Sequence, residues 1–124
     1  MTRRILIVED QEDNRAILRD LLSAAGYELI EATNGQEGVE LAHEKRPDLI
    51  LMDINLPVMD GYEATRRIKG DAALGATPII AVTSYALSGD EAKARTAGCD
   101  GYVTKPFSPR QLLAKLREYL GEDG

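Results

Sequence analysis

The sequence has one cysteine, no tryptophan, and only five tyrosines and one phenylalanine among 124 residues. A lone Cys99 cannot make an internal disulfide, and a redox or metal role would need partners that the sequence does not offer. It reads as a small packing residue, and a reducing cytoplasm is the expected compartment. So few aromatics exclude a base-stacking platform. Positive charge is also in deficit, with fifteen Lys and Arg against twenty-one Asp and Glu and a net charge of -6. Phosphate contacts need clustered cations, and the densest cluster is only Arg66, Arg67 and Lys69, so no nucleic-acid partner is expected. Long apolar runs are missing as well. Ile5-Leu6-Ile7-Val8 and Leu49-Ile50-Leu51-Met52 are about one strand long, too short to span a bilayer. The start, Met1-Thr2-Arg3-Arg4 and four apolar residues, lacks the core of a secretory signal.

What is present is globular composition, 44% hydrophobic and 29% charged. The length suits one domain over residues 1–124, able to bury about two-thirds of its unfolded surface. Short apolar runs alternate with longer amphipathic ones. Ile5 to Val8, Leu49 to Met52 and Ile79 to Val82 read as strands covered on both faces, Glu28 to Ala32 as a more polar edge strand, and Gly101 to Thr104 as a short last strand. Between them lie helical patterns: Ile17, Leu18, Leu21, Leu22 and Ala25; then Val39, Leu41 and Ala42; then Tyr62 to Ile68. Gly89 to Gly98 reads as a helix with only Ala92, Ala94 and Ala97 as apolar groups. Leu112, Leu113, Leu116 and Leu120 mark a final helix. Five β-α units predict an α/β fold of three layers, a parallel sheet with helices on both faces and right-handed crossovers.

In such a sheet, ligands bind beyond the carboxyl ends of the strands where strand order reverses. The residues just after the buried runs are therefore the candidates: Glu9 and Asp10, Asp53, Thr83 and Lys105. Three carboxylates, a hydroxyl and an ammonium converge on one edge. Packed carboxylates repel, and a proton or a cation must relieve the cost. Mg²⁺ suits them as a hard cation that takes oxygen ligands, keeps several waters and binds phosphoryl oxygens, with Mn²⁺ as an alternative. Each residue also has a plainer reading. Asp53 could be a turn or helix cap, Asp10 a cap of the first helix (although Asp13 and Asn14 are expected to serve there), Glu9 a solvated loop residue, Thr83 a strand former and Lys105 a surface charge. His43, within His43-Glu44-Lys45-Arg46, is expected to be solvated rather than a phosphoryl carrier.

The acidic pair Glu9-Asp10, the string Met52-Asp53-Ile54-Asn55-Leu56-Pro57 with Met59-Asp60-Gly61, Thr83-Ser84 and Lys105-Pro106 together resemble the receiver domains of two-component response regulators, the CheY-like family, over essentially the whole chain. The resemblance implies a flavodoxin-like sheet of order 2-1-3-4-5. It implies Mg²⁺ held by Asp10, Asp53 and the backbone carbonyl of Asn55, with Glu9 acting through water. It implies that Asp53 takes a phosphoryl group from phosphohistidine to give an aspartyl phosphate. Lys105 and the metal would neutralise the phosphoryl oxygens, and Thr83 would donate a hydrogen bond to one of them. Tyr102 would turn inward as the Thr83 hydroxyl moves. The Lys105-Pro106 peptide is expected to be cis by resemblance, whereas trans is the default from sequence alone.

The partners implied are a sensor histidine kinase or histidine phosphotransfer protein and a downstream target protein. The target would dock on the face of the alanine-rich helix, the last strand and the last helix. A monomer or weak dimer is expected, acting as a switch and not as a turnover enzyme. Residues Thr83 to Leu87 with Gly98-Cys99 are similar to DivK-type regulators and to receivers of hybrid kinases. Two features depart from the common pattern: Glu9 stands where Asp is frequent, and Ser84 where Ala or Gly is frequent. Asn55 and Tyr85 occupy positions that tune aspartyl-phosphate lifetime.

Three other readings compete. A flavodoxin-like electron carrier would need a phosphate loop, and Glu9 to Asp13 would repel a phosphate. An Asp-nucleophile phosphatase would need a carboxylate where Asn55 stands. A phosphorylation-independent interaction module would not need the full acceptor set.

Overall fold

In the computed structural model, described for residues 2–83, 90–105 and 108–121, the apolar runs form a parallel sheet. The strands are β1 (Arg4–Val8), β2 (Glu28–Ala32), β3 (Leu49–Asp53), β4 (Ile79–Thr83) and β5 (Gly101–Thr104), hydrogen-bonded in the order β2-β1-β3-β4-β5. Helices α1 (Glu12–Ala24), α2 (Gly35–Lys45), α3 (Gly61–Lys69), α4 (Asp90–Ala97) and α5 (Pro109–Leu120) separate and follow them. This is the three-layer, flavodoxin-like arrangement expected.

The two-sided character of the central strands follows from their period of two. Leu6, Val8, Ile50, Met52, Ile79 and Ala81 pack with Val39, Ala42, Ala64, Ile68 and Ala94 on one face. Ile5, Ile7, Leu49, Leu51, Ile80 and Val82 pack with Leu18, Leu22, Leu112 and Leu116 on the other. Both faces are dry, so neither alternate position can be polar, and the runs read as continuous. Edge strand β2 carries Glu28 and Glu31 instead, and Glu31 receives two hydrogen bonds from Arg19 of α1, each 2.8 Å.

Among the described residues, three α-helices start on side-chain caps. Asn34 accepts from the Glu37 amide, Asp60 from the Glu63 amide, and Ser108 from the Gln111 amide in a reciprocal capping box. Helix α1 differs from expectation: Gln11 is its cap residue, no side chain caps it, and Asp13 and Asn14 fall inside the helix. Its free amides are favoured instead by the acidic Glu12 and Asp13 of the first turn.

Local packing adds detail that periodicity alone does not give. Ile17 is 61% exposed, because Leu18 and Leu22, one turn apart, are the residues that α1 turns to the sheet. Ala25 is exposed as the C-cap residue of α1, and Ala92 lies on the outer side of α4, which is held inward by Ala94 and Ala97. The connection before β4 contains a 3₁₀ turn, Ala72–Leu74, that buries Leu74. Ser84, Tyr85, Gly89, Pro106 and the Lys105-Pro106 peptide geometry lie outside the described residues, as does the chain after Gly121.

Candidate functional site

Strand order turns back at β1, which lies between β2 and β3. The register pairs Val8 with Met52 and Asp53 with Val82, so Glu9 leaves its strand at the level of Asp53. On the far side Thr83 pairs with Thr104, and the Lys105 amide donates to the Thr83 carbonyl at 2.7 Å. That bond carries the β4-β5 pairing one residue past the strand and fixes where Lys105 departs.

The carboxylates of Glu9, Asp10 and Asp53 each present an oxygen within 4.8 Å of the others. Glu9 is 2% exposed and Asp53 6%, whereas Asp10 is exposed. The Lys105 ammonium reaches both buried carboxylates, at 2.7 Å from Glu9 Oε1 and 3.1 Å from Asp53 Oδ2. The other Asp53 oxygen, Oδ1, accepts from the Asn55 amide at 2.9 Å. Three carboxylates against one ammonium leave two negative charges uncompensated, which is the charge of one divalent cation. The donors are hard oxygens, and the set fits Mg²⁺.

The electrostatics show the strain of this packing. Partial removal from water, then the hydrogen bond with Glu9 and the Glu9 charge, raise the Asp10 carboxyl above the ordinary aspartate value. Burial alone would lower Lys105, but the Glu9 hydrogen bond and the charges of Asp53 and Glu9 outweigh it, and its pKa is raised. The lysine is therefore firmly charged, which any role opposite a phosphoryl group requires.

The loop after Asp53 is closed on itself. The Gly61 amide donates to the Ile54 carbonyl at 3.0 Å, and the Ile54 amide to the Val82 carbonyl at 3.1 Å. Within the loop, Val58 adopts a left-handed φ of 70° while 86% exposed.

Of the residues expected from sequence, Glu9, Asp10, Asp53 and Lys105 meet in one cluster, and the Asn55 backbone joins them through its amide. Thr83 is buried at the tip of β4, 3% exposed. Tyr102, on β5, is half-buried and packed against the cluster that includes Ala81 and Ala94. Glu9 is a buried member of the site, not a solvated loop residue. His43 is half-exposed and its Nδ1 lies 2.6 Å from Asp71 Oδ2, away from the cluster. Sequence reasoning passed over Arg15, whose guanidinium donates to the Glu9 backbone carbonyl at 2.9 Å. No motif signals a side chain whose partner is main chain.

Residues 5–117 match the response regulator receiver domain family. The polar-differentiation response regulator DivK of Brucella anthropi is 47% identical over 122 residues, covering 98% of this chain and 99% of that protein. DivK of Brucella ovis is 46% identical with the same coverage. Among solved structures, the receiver domain of a sensor histidine kinase from Pseudomonas aeruginosa superposes with a TM-score of 0.91 at 38% identity, covering 98% of this chain and 99% of that one. That structure has a magnesium ion coordinated in the active site cleft. A CheY-like receiver domain protein from Methanospirillum hungatei gives a TM-score of 0.91 at 34% identity, with 98% and 96% coverage. With the acidic cluster, the lysine and the sheet order all in place, the chain belongs to the response regulator receiver domain family.

Proposed function

We propose that this chain is a phosphoacceptor switch of two-component signalling and that Asp53 is the acceptor. The observation that carries this is the Asp53 carboxylate itself: one oxygen fixed by the Asn55 amide, the other by Lys105, inside a cluster with two further carboxylates. An Asp53 oxygen forms the new P–O bond as the P–N bond of a phosphohistidine breaks, and the imidazole nitrogen keeps the electron pair. Lys105 is placed to take up charge on the transferred group, and Thr83 at the adjacent strand tip is the hydroxyl donor for it. Asp10, Asp53 and the Asn55 backbone carbonyl, with Glu9 through water, are the groups that would hold Mg²⁺, or Mn²⁺ in its place. When bound, the ion neutralises charge on the phosphoryl oxygens.

The response travels through the elements nearest Thr83. Helix α4 is held by small side chains, Ala94 and Ala97, with Tyr102 half-buried beside it. A helix anchored by so little apolar surface shifts at low cost, which supports the α4-β5-α5 face as the docking surface for a downstream protein. The donor is a histidine kinase or histidine phosphotransfer protein, as for the family. The chain acts as one receiver unit and in the cytoplasm, as a substrate of its donor and not as a turnover enzyme. Among the described residues, no helix is long and apolar enough to cross a membrane.

The test is intact mass after incubation with Mg²⁺ and a small phosphodonor. One alkali-labile phosphoryl group is expected on the wild type and on Asp13→Ala, and none on Asp53→Ala. A wild type that stays unmodified contradicts the proposal.

A further inference from the structure

We infer that Glu9 is a positioning residue for Lys105, and that its hold on the ammonium sets the threshold for metal entry. The inference rests on the reading of the site as a metal-dependent phosphoacceptor. Lys105 lies closer to Glu9, at 2.7 Å, than to the acceptor Asp53, at 3.1 Å. The Glu9 side chain is 3% exposed against 20% for Lys105, so this carboxylate is almost wholly removed from water. A buried carboxylate must be paired, and among the described residues the lysine is the cation that reaches it.

The main chain beneath Glu9 leaves little freedom to let go. Its amide donates to the Ala32 carbonyl at 3.0 Å, and its carbonyl accepts from Arg15 at 2.9 Å. Its second carboxylate oxygen accepts from the Gln11 amide over a long 3.4 Å. Glutamate at this position, where aspartate is frequent in the family, has one more methylene with which to reach the ammonium.

Glu9 is also one of the three carboxylates gathered for a divalent ion. An ammonium and a divalent cation repel one another and compete for the same oxygens. Lys105 gripped by Glu9 and a fully loaded metal site are therefore alternatives. Glu9 holds the lysine over Asp53 in the metal-free protein, and the lysine is released as the ion binds.

A double-mutant cycle on Mg²⁺ affinity, measured by titration calorimetry, tests this with wild type, Glu9→Asp, Lys105→Met and the double variant. Metal-free melting temperatures are measured on the same four proteins. Glu9→Asp keeps the charge but shortens the arm. In the wild-type background it should tighten Mg²⁺ binding about three- to tenfold and lower the metal-free melting temperature. With Lys105→Met, the same substitution should change affinity by less than about twofold. Lys105→Gln replaces Lys105→Met if the latter does not fold. An equal Glu9→Asp factor in both backgrounds, or weaker binding in the wild-type background, overturns the inference while leaving the phosphoacceptor reading intact. A wild type that neither binds Mg²⁺ nor takes up a phosphoryl group overturns both.

Discussion

Gly61 lies so close to Asp53 that a β-carbon built on it would stand 2.3 Å from the Asp53 carbonyl oxygen. The contact is backbone against backbone, and no side-chain rotation relieves it. The glycine thus lets α3 begin directly behind Asp53 and lets its amide close the loop onto Ile54. Gly61→Ala should cost about 1–3 kcal/mol in urea unfolding, the range of an overpacked core site. A loss below about 0.5 kcal/mol, the ordinary scatter of a surface substitution, would show that the loop yields easily.

Val58 offers the opposite experiment. A β-branched residue at φ 70° is strained, and at 86% exposure it recovers little by packing. Val58→Asn should stabilise the protein by about 1 kcal/mol, since asparagine tolerates the left-handed region that costs other L-residues about 1–2 kcal/mol. An unchanged or lower urea midpoint would mean that the loop adopts another conformation.

The ion pairs of α1 with β2 give a pH dependence. The two hydrogen bonds from Arg19, which outweigh partial burial, hold the Glu31 carboxyl below the ordinary glutamate value. A carboxyl lowered on folding contributes stability above its unfolded pKa and loses it as pH falls through the folded one. Arg19→Met should therefore lower the urea midpoint at neutral pH, with the gap from wild type closing in strongly acidic solution. A gap of constant size would assign the effect to packing alone.

Cys99 is 6% exposed, burial raises its thiol pKa, and its sulfur lies 3.7 Å from the Thr65 hydroxyl oxygen. The thiolate is the reactive form, so a thiol reagent should modify the native protein far more slowly than the urea-unfolded one. Equal rates would contradict the packing assigned to this face.

The fold was legible in the sequence because its signals are redundant. Continuous apolar runs such as Leu49 to Met52, bounded by polar residues and too short for a helix, read as strands covered on both faces, and Glu28 to Ala32 announces an edge by its charge. The cluster of Glu9, Asp10, Asp53 and Lys105 was legible because strand tips in a parallel sheet converge, so position alone gathers them. What sequence hid was local and geometric. Periodicity admitted Ile17 to the buried stripe, although Leu18 and Leu22, with Leu21 partly buried, are the side chains that pack on the sheet. Asp13 and Asn14 were expected to cap α1, yet the cap position is Gln11, two to three residues earlier. The burial of Glu9 was hidden too, because it depends on Lys105 arriving from 96 residues away.

The most direct test of Asp53 as the acceptor is where the phosphoryl group sits. An acyl phosphate is reduced by borohydride to an alcohol, which converts a phosphorylated aspartate to homoserine. After treatment with Mg²⁺ and a small phosphodonor, reduction and peptide mass mapping should find homoserine at position 53 and at no other aspartate. Homoserine at Asp10, Asp13 or Asp60 with Asp53 intact, or at none of them, would contradict the account.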